Sequence, residues 1–140
     1  MRIAIGCDHT GVDLKRALLD SVLREHDVVD MGTDSKESVD YPDIAKLVAH
    51  AVVRGEAERG ILICGTGIGM AMVAGKVKGI RAARCCEPYS AEMSRRHNDA
   101  NVLCFGARVI GSGMAEKIVE KWLSTPFDGG RHVRRVEKIE

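Results

Sequence analysis

The chain has 140 residues, 45% of them hydrophobic, with a formal net charge of +1 and five cysteines. That length supports one domain, residues 1–140, around a single core, and so balanced a charge gives no electrostatic case for binding nucleic acid or a membrane surface. No apolar run approaches the ~20 residues of a membrane span. The cysteines lack the spacing of a disulfide scaffold or a zinc knuckle, and Met1-Arg2-Ile3 leads into a strand with no signal peptide, so a reducing cytoplasm is the expected setting.

In chain order, residues 3–7 read as a strand and 12–24 as a helix, with Val12, Leu14, Leu18, Leu19 and Val22 forming one stripe. Residues 28–31 make a short second strand, followed by a polar turn over 32–40. Pro42 sits near the start of the next helix, 43–54, where a proline is tolerated. A third strand covers 61–64 and a helix 68–76. A fourth strand at 80–83 precedes a helix over 88–97, and a fifth strand at 102–105 precedes a long amphipathic helix over 113–123. This alternation implies an α/β fold of three α/β/α layers, Rossmann-like, with a parallel sheet of about five strands. Right-handed crossovers then place the loops after every strand along one edge.

The loop after the third strand carries the densest signal. Ile61-Leu62-Ile63-Cys64 ends at a thiol, and Gly65-Thr66-Gly67-Ile68-Gly69-Met70 turns through three alternating glycines into a helix. Ligands of open α/β sheets bind beyond the carboxyl ends of the strands. Glycines there let N–H groups turn toward an anion, with the helix dipole adding positive charge. Thiols beside such groups ionise more readily than free ones. The spacing lacks the third glycine position of a dinucleotide fingerprint and the Lys-Ser/Thr of a P-loop. The same glycines would also serve a tight turn made only for helix–sheet packing.

The other loops of that edge hold Cys7-Asp8-His9-Thr10-Gly11, Cys85-Cys86-Glu87 and Gly106-Ala107-Arg108. Singly, each has a plain use: Asp8 or Thr10 as a helix cap, His9 as a loop residue, Arg108 as a solvated or paired cation. Their convergence on one edge is what points to a site. His97-Asn98 ends a helix and enters a strand, where it suits either a cleft or a C-terminal cap. Near the C-terminus, Arg131 and Arg135 would share a face if that segment is helical, able to hold one phosphate from two sides, or else form an exposed basic tail.

These blocks together resemble one family. Gly6-Cys7-Asp8-His9, Asp40-Tyr41-Pro42, the Cys64-to-Gly69 loop and Gly79-Ile80-Arg81-Ala82 stand in its order. Glu87-Pro88-Tyr89-Ser90-Ala91, His97-Asn98-Asp99-Ala100-Asn101-Val102-Leu103 and Gly129-Gly130-Arg131-His132 continue it. The sequence is similar over its whole length to ribose-5-phosphate isomerase B and the galactose-6-phosphate isomerase subunits. The resemblance implies an aldose–ketose isomerase of a phosphorylated sugar, working through a cis-enediolate with no metal or organic cofactor. It matches Cys64 to the base, Thr66 to a group serving the substrate oxygens, and His97 to the residue that opens the furanose ring. Backbone N–H groups from Gly65 through Met70, those of Gly67, Ile68 and Gly69 included, would stabilise the enediolate oxyanion. His9, Arg108, Arg131 and Arg135 match the phosphate-binding set, and Asp8, Tyr41 and Asn98 the contacts to sugar hydroxyls.

The resemblance also implies a homodimer, with a tetramer open, whose sites lie at the subunit interface. There His97, Asn98 and Arg108 would come from the second chain, and residues 126–140 would contribute to the site. The helix after the glycine loop departs from the family's common Ser-Ile-Ala-Ala-Asn-Lys, reading Ala71-Met72-Val73-Ala74-Gly75-Lys76. One branch of the family places a catalytic glutamate where Gly75 stands, so Cys64 is the candidate base here. The preferred sugar stays open among ribose 5-phosphate, erythrulose 4-phosphate, allose 6-phosphate and galactose 6-phosphate. So does a non-catalytic sugar-phosphate-binding subunit. A nucleotide-binding domain is disfavoured, since neither phosphate-loop motif is complete.

Overall fold

Successive residues of a strand enter opposite faces of a sheet, and here they enter two different cores. Ile3, Ile5 and Cys7 pack with Ile61, Ile63, Leu103 and Phe105 into one cluster, whereas Ala4, Leu62, Cys64, Val102 and Cys104 belong to the other. The computed structural model describes residues 1–140. Its strands are β1 (Arg2–Cys7), β2 (Asp27–Asp30), β3 (Arg59–Cys64), β4 (Ala82–Arg84) and β5 (Val102–Gly106). All neighbouring pairs are parallel, in the order β2-β1-β3-β5-β4. The helices are α1 (Val12–Leu19), α2 (Tyr41–Val53), α3 (Ile68–Ala74), α4 (Pro88–Arg96), α5 (Ser112–Ser124) and α6 (Arg131–Glu137).

The first core is closed by α1, α4 and α5, with Trp122 fully buried in it, and the second by α2 and α3. The expected three-layer fold is therefore present, five strands included. The α2 side is built of small residues: a Cβ on Gly60 would meet Val48 Cγ1 at 2.6 Å, and one on Gly6 would meet Ile44 Cγ2 at 2.6 Å. Those contacts let α2 lie close against β1 and β3. No helix is long and apolar enough to cross a membrane.

Several boundaries differ from the sequence reading, each for a local reason. Helix α1 stops at Leu19 rather than reaching 24. Past it, Ser21 Oγ donates to Ala17 O (2.7 Å) and Leu23 N to Leu18 O (2.9 Å), a wide turn that drops Leu23 into the core. Helix α2 begins two residues early, because Pro42 fits its first turn. Ile80 is not in β4: Gly79 takes φ +93° and Ile80 N donates to Val77 O, so Ile80 belongs to the turn that closes α3. The C-terminal segment is helical, and Arg131 and Arg135 both lie on α6.

Lys15, fully buried, pins the polar turn after β2. Its ammonium bonds Thr33 O (2.8 Å), Asp34 (2.9 Å) and Asp30 (2.7 Å). Burial alone would lower its pKa, but the two carboxylates outweigh burial and raise it.

Candidate active site

From β1 the chain leaves toward β2, and from β3 it leaves toward β4 on the other side of the sheet. Such a reversal opens a crevice between the carboxyl ends of the two strands. A cleft of about 500 Å³ lies there. The loop after β1 lines it with Asp8, His9 and Thr10, the start of α2 with Tyr41, and the loop after β3 with Cys64, Gly65 and Thr66. Ile68, Gly69 and Met72 of α3 and Arg108, beyond β5, complete the wall.

Glycines at the centre of this wall are required by close approach. Gly67 takes φ +81°, and a Cβ on it would lie 2.7 Å from the Phe105 backbone; one on Gly106 would lie 2.6 Å from Gly65 O and Thr66 Cα. The loop is thus pressed onto the end of β5, an attachment continued by Ala107 N to Cys64 O and Arg108 N to Gly65 O. A Cβ on Gly69 would sit 2.4 Å from the Tyr41 ring, which packs over the start of α3.

The loop fixes what Cys64 can do. Gly67 N–H donates to Cys64 Sγ at 3.1 Å, so the buried sulfur is held as an acceptor at the cleft floor. Ile68 N–H is likewise occupied, donating to Thr66 Oγ1 at 3.2 Å. The expected row of anion-binding N–H groups from Gly65 through Met70 is therefore narrower: Gly67 and Ile68 are satisfied within the loop. Gly65 and Thr66 N–H have no backbone partner, and Gly69 and Met70 stand in the first turn of α3, where no helical acceptor precedes them. Arg84 Nε donates to Thr66 O at 2.8 Å and braces the loop from outside.

Across the cleft, buried Asp8 accepts from Thr10 N (3.0 Å) and Thr10 Oγ1 (2.6 Å) through Oδ1 alone, leaving Oδ2 without a protein partner. Its capping role and its place in the cleft coexist. His9 Nδ1 accepts from Val39 N–H at 3.3 Å. An imidazole accepting at Nδ1 carries its proton on Nε2, which is then a free donor.

His97, Asn98, Arg131 and Arg135 do not border this cleft. His97 caps α4 and Asn98 follows it, lining a separate depression with Arg81 and Ile139. Gly129 (φ +70°) and Gly130 (φ +57°) turn the chain so that α6 returns to the end of α4. Asp128 N bonds Arg96 O, and both Asp128 oxygens lie 3.2 Å from Arg96 Nε. The His97 and His132 rings stack at 4.4 Å between centroids, 12° apart in plane. Arg131 and Arg135 are exposed beside them. Arg108, expected with His97 and Asn98 from a second chain, instead lines the Cys64 cleft of its own chain, because its backbone is bonded to Gly65.

Sequence reasoning did not assign Met72, Val39, Arg84 or His132 to a site. Arg84 could have been found as the last residue of a strand on the loop edge, and His132 as the one histidine of the C-terminal block. Val39 acts through its backbone N–H, for which side-chain identity gives no signal.

Comparison with known proteins agrees along the whole chain. The ribose/galactose isomerase family matches residues 3–139. Ribose-5-phosphate isomerase B of Escherichia coli is 52% identical over 99% of this chain and 93% of its own. D-erythrulose-4-phosphate isomerase of Pectobacterium atrosepticum is 47% identical over 99% and 93%. The solved structure of Clostridium thermocellum ribose-5-phosphate isomerase B superimposes with a TM-score of 0.97, at 54% identity, covering 99% of this chain and 95% of that one.

Proposed function

The chain belongs to the ribose/galactose isomerase family and is an aldose–ketose isomerase of phosphorylated sugars; we propose that it interconverts ribose 5-phosphate and ribulose 5-phosphate. One observation carries the mechanism: Cys64 Sγ is an acceptor on the floor of a cleft whose wall presents backbone N–H groups without partners. The reaction removes the proton from the carbon beside the carbonyl, passes through a cis-enediolate and returns the proton to the neighbouring carbon. Cys64 is the base that takes and gives it. The N–H groups of Gly65, Thr66, Gly69 and Met70 face the charge that grows on the oxygens, the kind of interaction that contributes most at such sites. Thr66, Asp8 and Tyr41 bind hydroxyls. His9, through Nε2–H, and Arg108 supply donors to the phosphate. One proton moves between the two carbons and one between their oxygens, and the molecule as a whole is neither oxidised nor reduced, so the chemistry needs no cofactor.

Ring opening and the remaining phosphate contacts fall to residues on the other side of the molecule. His97, an acid/base suited to neutral pH, Asn98, Arg131 and Arg135 complete the cleft of a second copy. The protein works as a homodimer with shared sites, to which residues 126–140 contribute. Its five free thiols suit a reducing cytoplasm.

A four-carbon substrate is the second reading, favoured by the 47% identity to an enzyme named for erythrulose 4-phosphate. Incubating the pure protein with ribose 5-phosphate, beside a panel of four- to six-carbon sugar phosphates, tests both. Ribulose 5-phosphate formed with the highest kcat/KM of the panel supports the proposal. A faster tetrose phosphate replaces it with the second reading, and binding without any turnover replaces both with a non-catalytic subunit.

A further inference from the structure

His132 is a buried polar side chain with no place in the mechanism so far. Three observations define its setting. Its ring lies flat against His97, centroids 4.4 Å apart and planes 12° apart. Its backbone is anchored in the glycine turn through His132 N to Gly129 O at 3.1 Å. That turn is itself tied to the last turn of α4 by the Arg96–Asp128 pair and by Asp128 N to Arg96 O. The loop, α4 and α6 therefore converge on one flat contact. His97, as the C-cap of α4, is bonded along its backbone to Met93 O, but its ring makes no hydrogen bond within the chain. The stack is what fixes the plane of that ring.

The chemistry of the pair favours one arrangement. Burial pushes the His132 imidazole below the ordinary histidine range, and His97, Arg131 and Arg135 push the same way against the weaker pull of Asp128. Arg96, at the end of α4, is held by Asp128 and by Glu92. A neutral ring stacks on a neighbouring imidazole in either protonation state of the latter, whereas two imidazolium rings in contact would repel.

His97, Asp128 and His132 also lie close enough to suggest a metal site, their ligand atoms falling within 4.8 Å of one another. Two features argue against it. Asp128 is committed to Arg96 through both oxygens. The lone pairs of two near-parallel stacked rings lie in separate planes and do not converge on one ion at the ~2.0–2.1 Å that a nitrogen ligand requires.

We propose that His132 is a positioning residue: the flat platform that sets the plane in which His97 meets the ring oxygen of a cyclic sugar phosphate. This rests on the reading of His97 as the ring-opening acid/base. A flat ring, rather than an imidazole as such, is what the position needs. Misplacement of a catalytic group by about 1 Å can cost ~100-fold. A ring freed to turn, but still tethered at its backbone, is expected to lose roughly tenfold or more.

The test compares His132→Ala and His132→Phe with His97→Asn on two substrates. One is ribose 5-phosphate, which cyclises. The other is a tetrose 4-phosphate, whose ring-closing hydroxyl is blocked by phosphate. His132→Ala should lower kcat on ribose 5-phosphate roughly tenfold or more and leave the tetrose phosphate within about twofold, and His132→Phe should restore most of the ribose activity. Thermal melts of both variants separate this from unfolding, since a folding defect lowers the two activities together. Equal losses on both substrates from a folded His132→Ala, or no rescue by phenylalanine, overturn the platform role. If His97→Asn itself fails to distinguish the two substrates, the reading of His97 fails first. If it distinguishes them and His132→Ala does not, only the inference about His132 fails.

Discussion

The Cys64 cleft and the His97–His132 corner are built on opposite plans. The cleft gathers residues from three loops and two helices at the reversal point of the sheet, and its geometry is enforced by backbone packing: Gly67 and Gly106 admit no side chain, and Cys64 Sγ is bonded to the loop that surrounds it. The corner is made by one short helix folded back on the end of another, held by a stack and an ion pair, with Arg131 and Arg135 exposed. In the function proposed above, the first region supplies the proton transfer and two phosphate donors, and the corner supplies ring opening and two more. A single chain keeps them apart, and a second copy is the simplest way to bring them together.

Removing the base has the largest expected effect. Cys64→Ala should lower kcat by ~10²–10⁴-fold, the usual size of an acid/base contribution, while sugar phosphates still bind, because the phosphate donors lie elsewhere. Near-normal kcat measured with ribose 5-phosphate would sink the assignment. Division between chains is tested next by complementation. Cys64→Ala and His97→Asn should each be nearly inactive on ribose 5-phosphate. Exchanged into mixed dimers they should recover roughly a quarter of wild-type activity, since about half the dimers are mixed and each has one intact site under two-fold symmetry. No recovery from chains shown to exchange would place both residues in one subunit's site.

A smaller effect sharpens the corner's role. Arg131→Ala and Arg135→Ala each remove a charge-assisted contact, typically ~1.5–3 kcal/mol, and so should raise KM for the sugar phosphate roughly ten- to a hundredfold. Inhibition by inorganic phosphate should weaken in parallel. If phosphate inhibits the wild type and both variants equally, the two arginines are a solvated surface.

Much of the fold could be read because the strands are short apolar runs bounded by glycine and polar turns, and the crossovers admit one hand. Element ends were less legible. Nothing in residues 20–24 announces that Leu23 leaves the helix to reach the core, since the apolar stripe runs on through Val22. At the site, residue types and the family resemblance picked out Cys64, Thr66 and His9, but not which N–H groups of the glycine loop remain free. That depends on Gly67 and Ile68 bonding back to Cys64 and Thr66. Nor could the sequence place Arg108, which the resemblance put on the far chain and the backbone bond to Gly65 keeps on the near one. The His97–His132 stack was out of reach because it joins residues 35 positions apart through a turn of two left-handed glycines.

The smallest expected effect separates Cys64 from a cysteine in almost the same place. Cys7 ends β1 as Cys64 ends β3, one strand away, but its side chain enters the other core and its Sγ donates, to Thr33 O at 3.4 Å. Burial pushes the Cys7 and Cys85 thiols up to about 11, and raises Cys104 as well. A thiol with a higher pKa folded than unfolded contributes stability that is fully present below the unfolded value and lost as pH rises through the folded one. Wild-type stability should therefore fall between about pH 9 and 11, with Cys7 accounting for on the order of 2 kcal/mol of the loss. Cys7→Ala is expected to keep kcat within about twofold, to cost ~1 kcal/mol near neutrality, and to lose less stability than wild type in urea melts repeated at pH 8 and pH 10.5. If its alkaline loss equals that of wild type, the buried thiol is not what titrates. If its activity collapses like that of Cys64→Ala, position at a strand end matters more than the direction of the sulfur's hydrogen bond, and the distinction between the two cysteines fails.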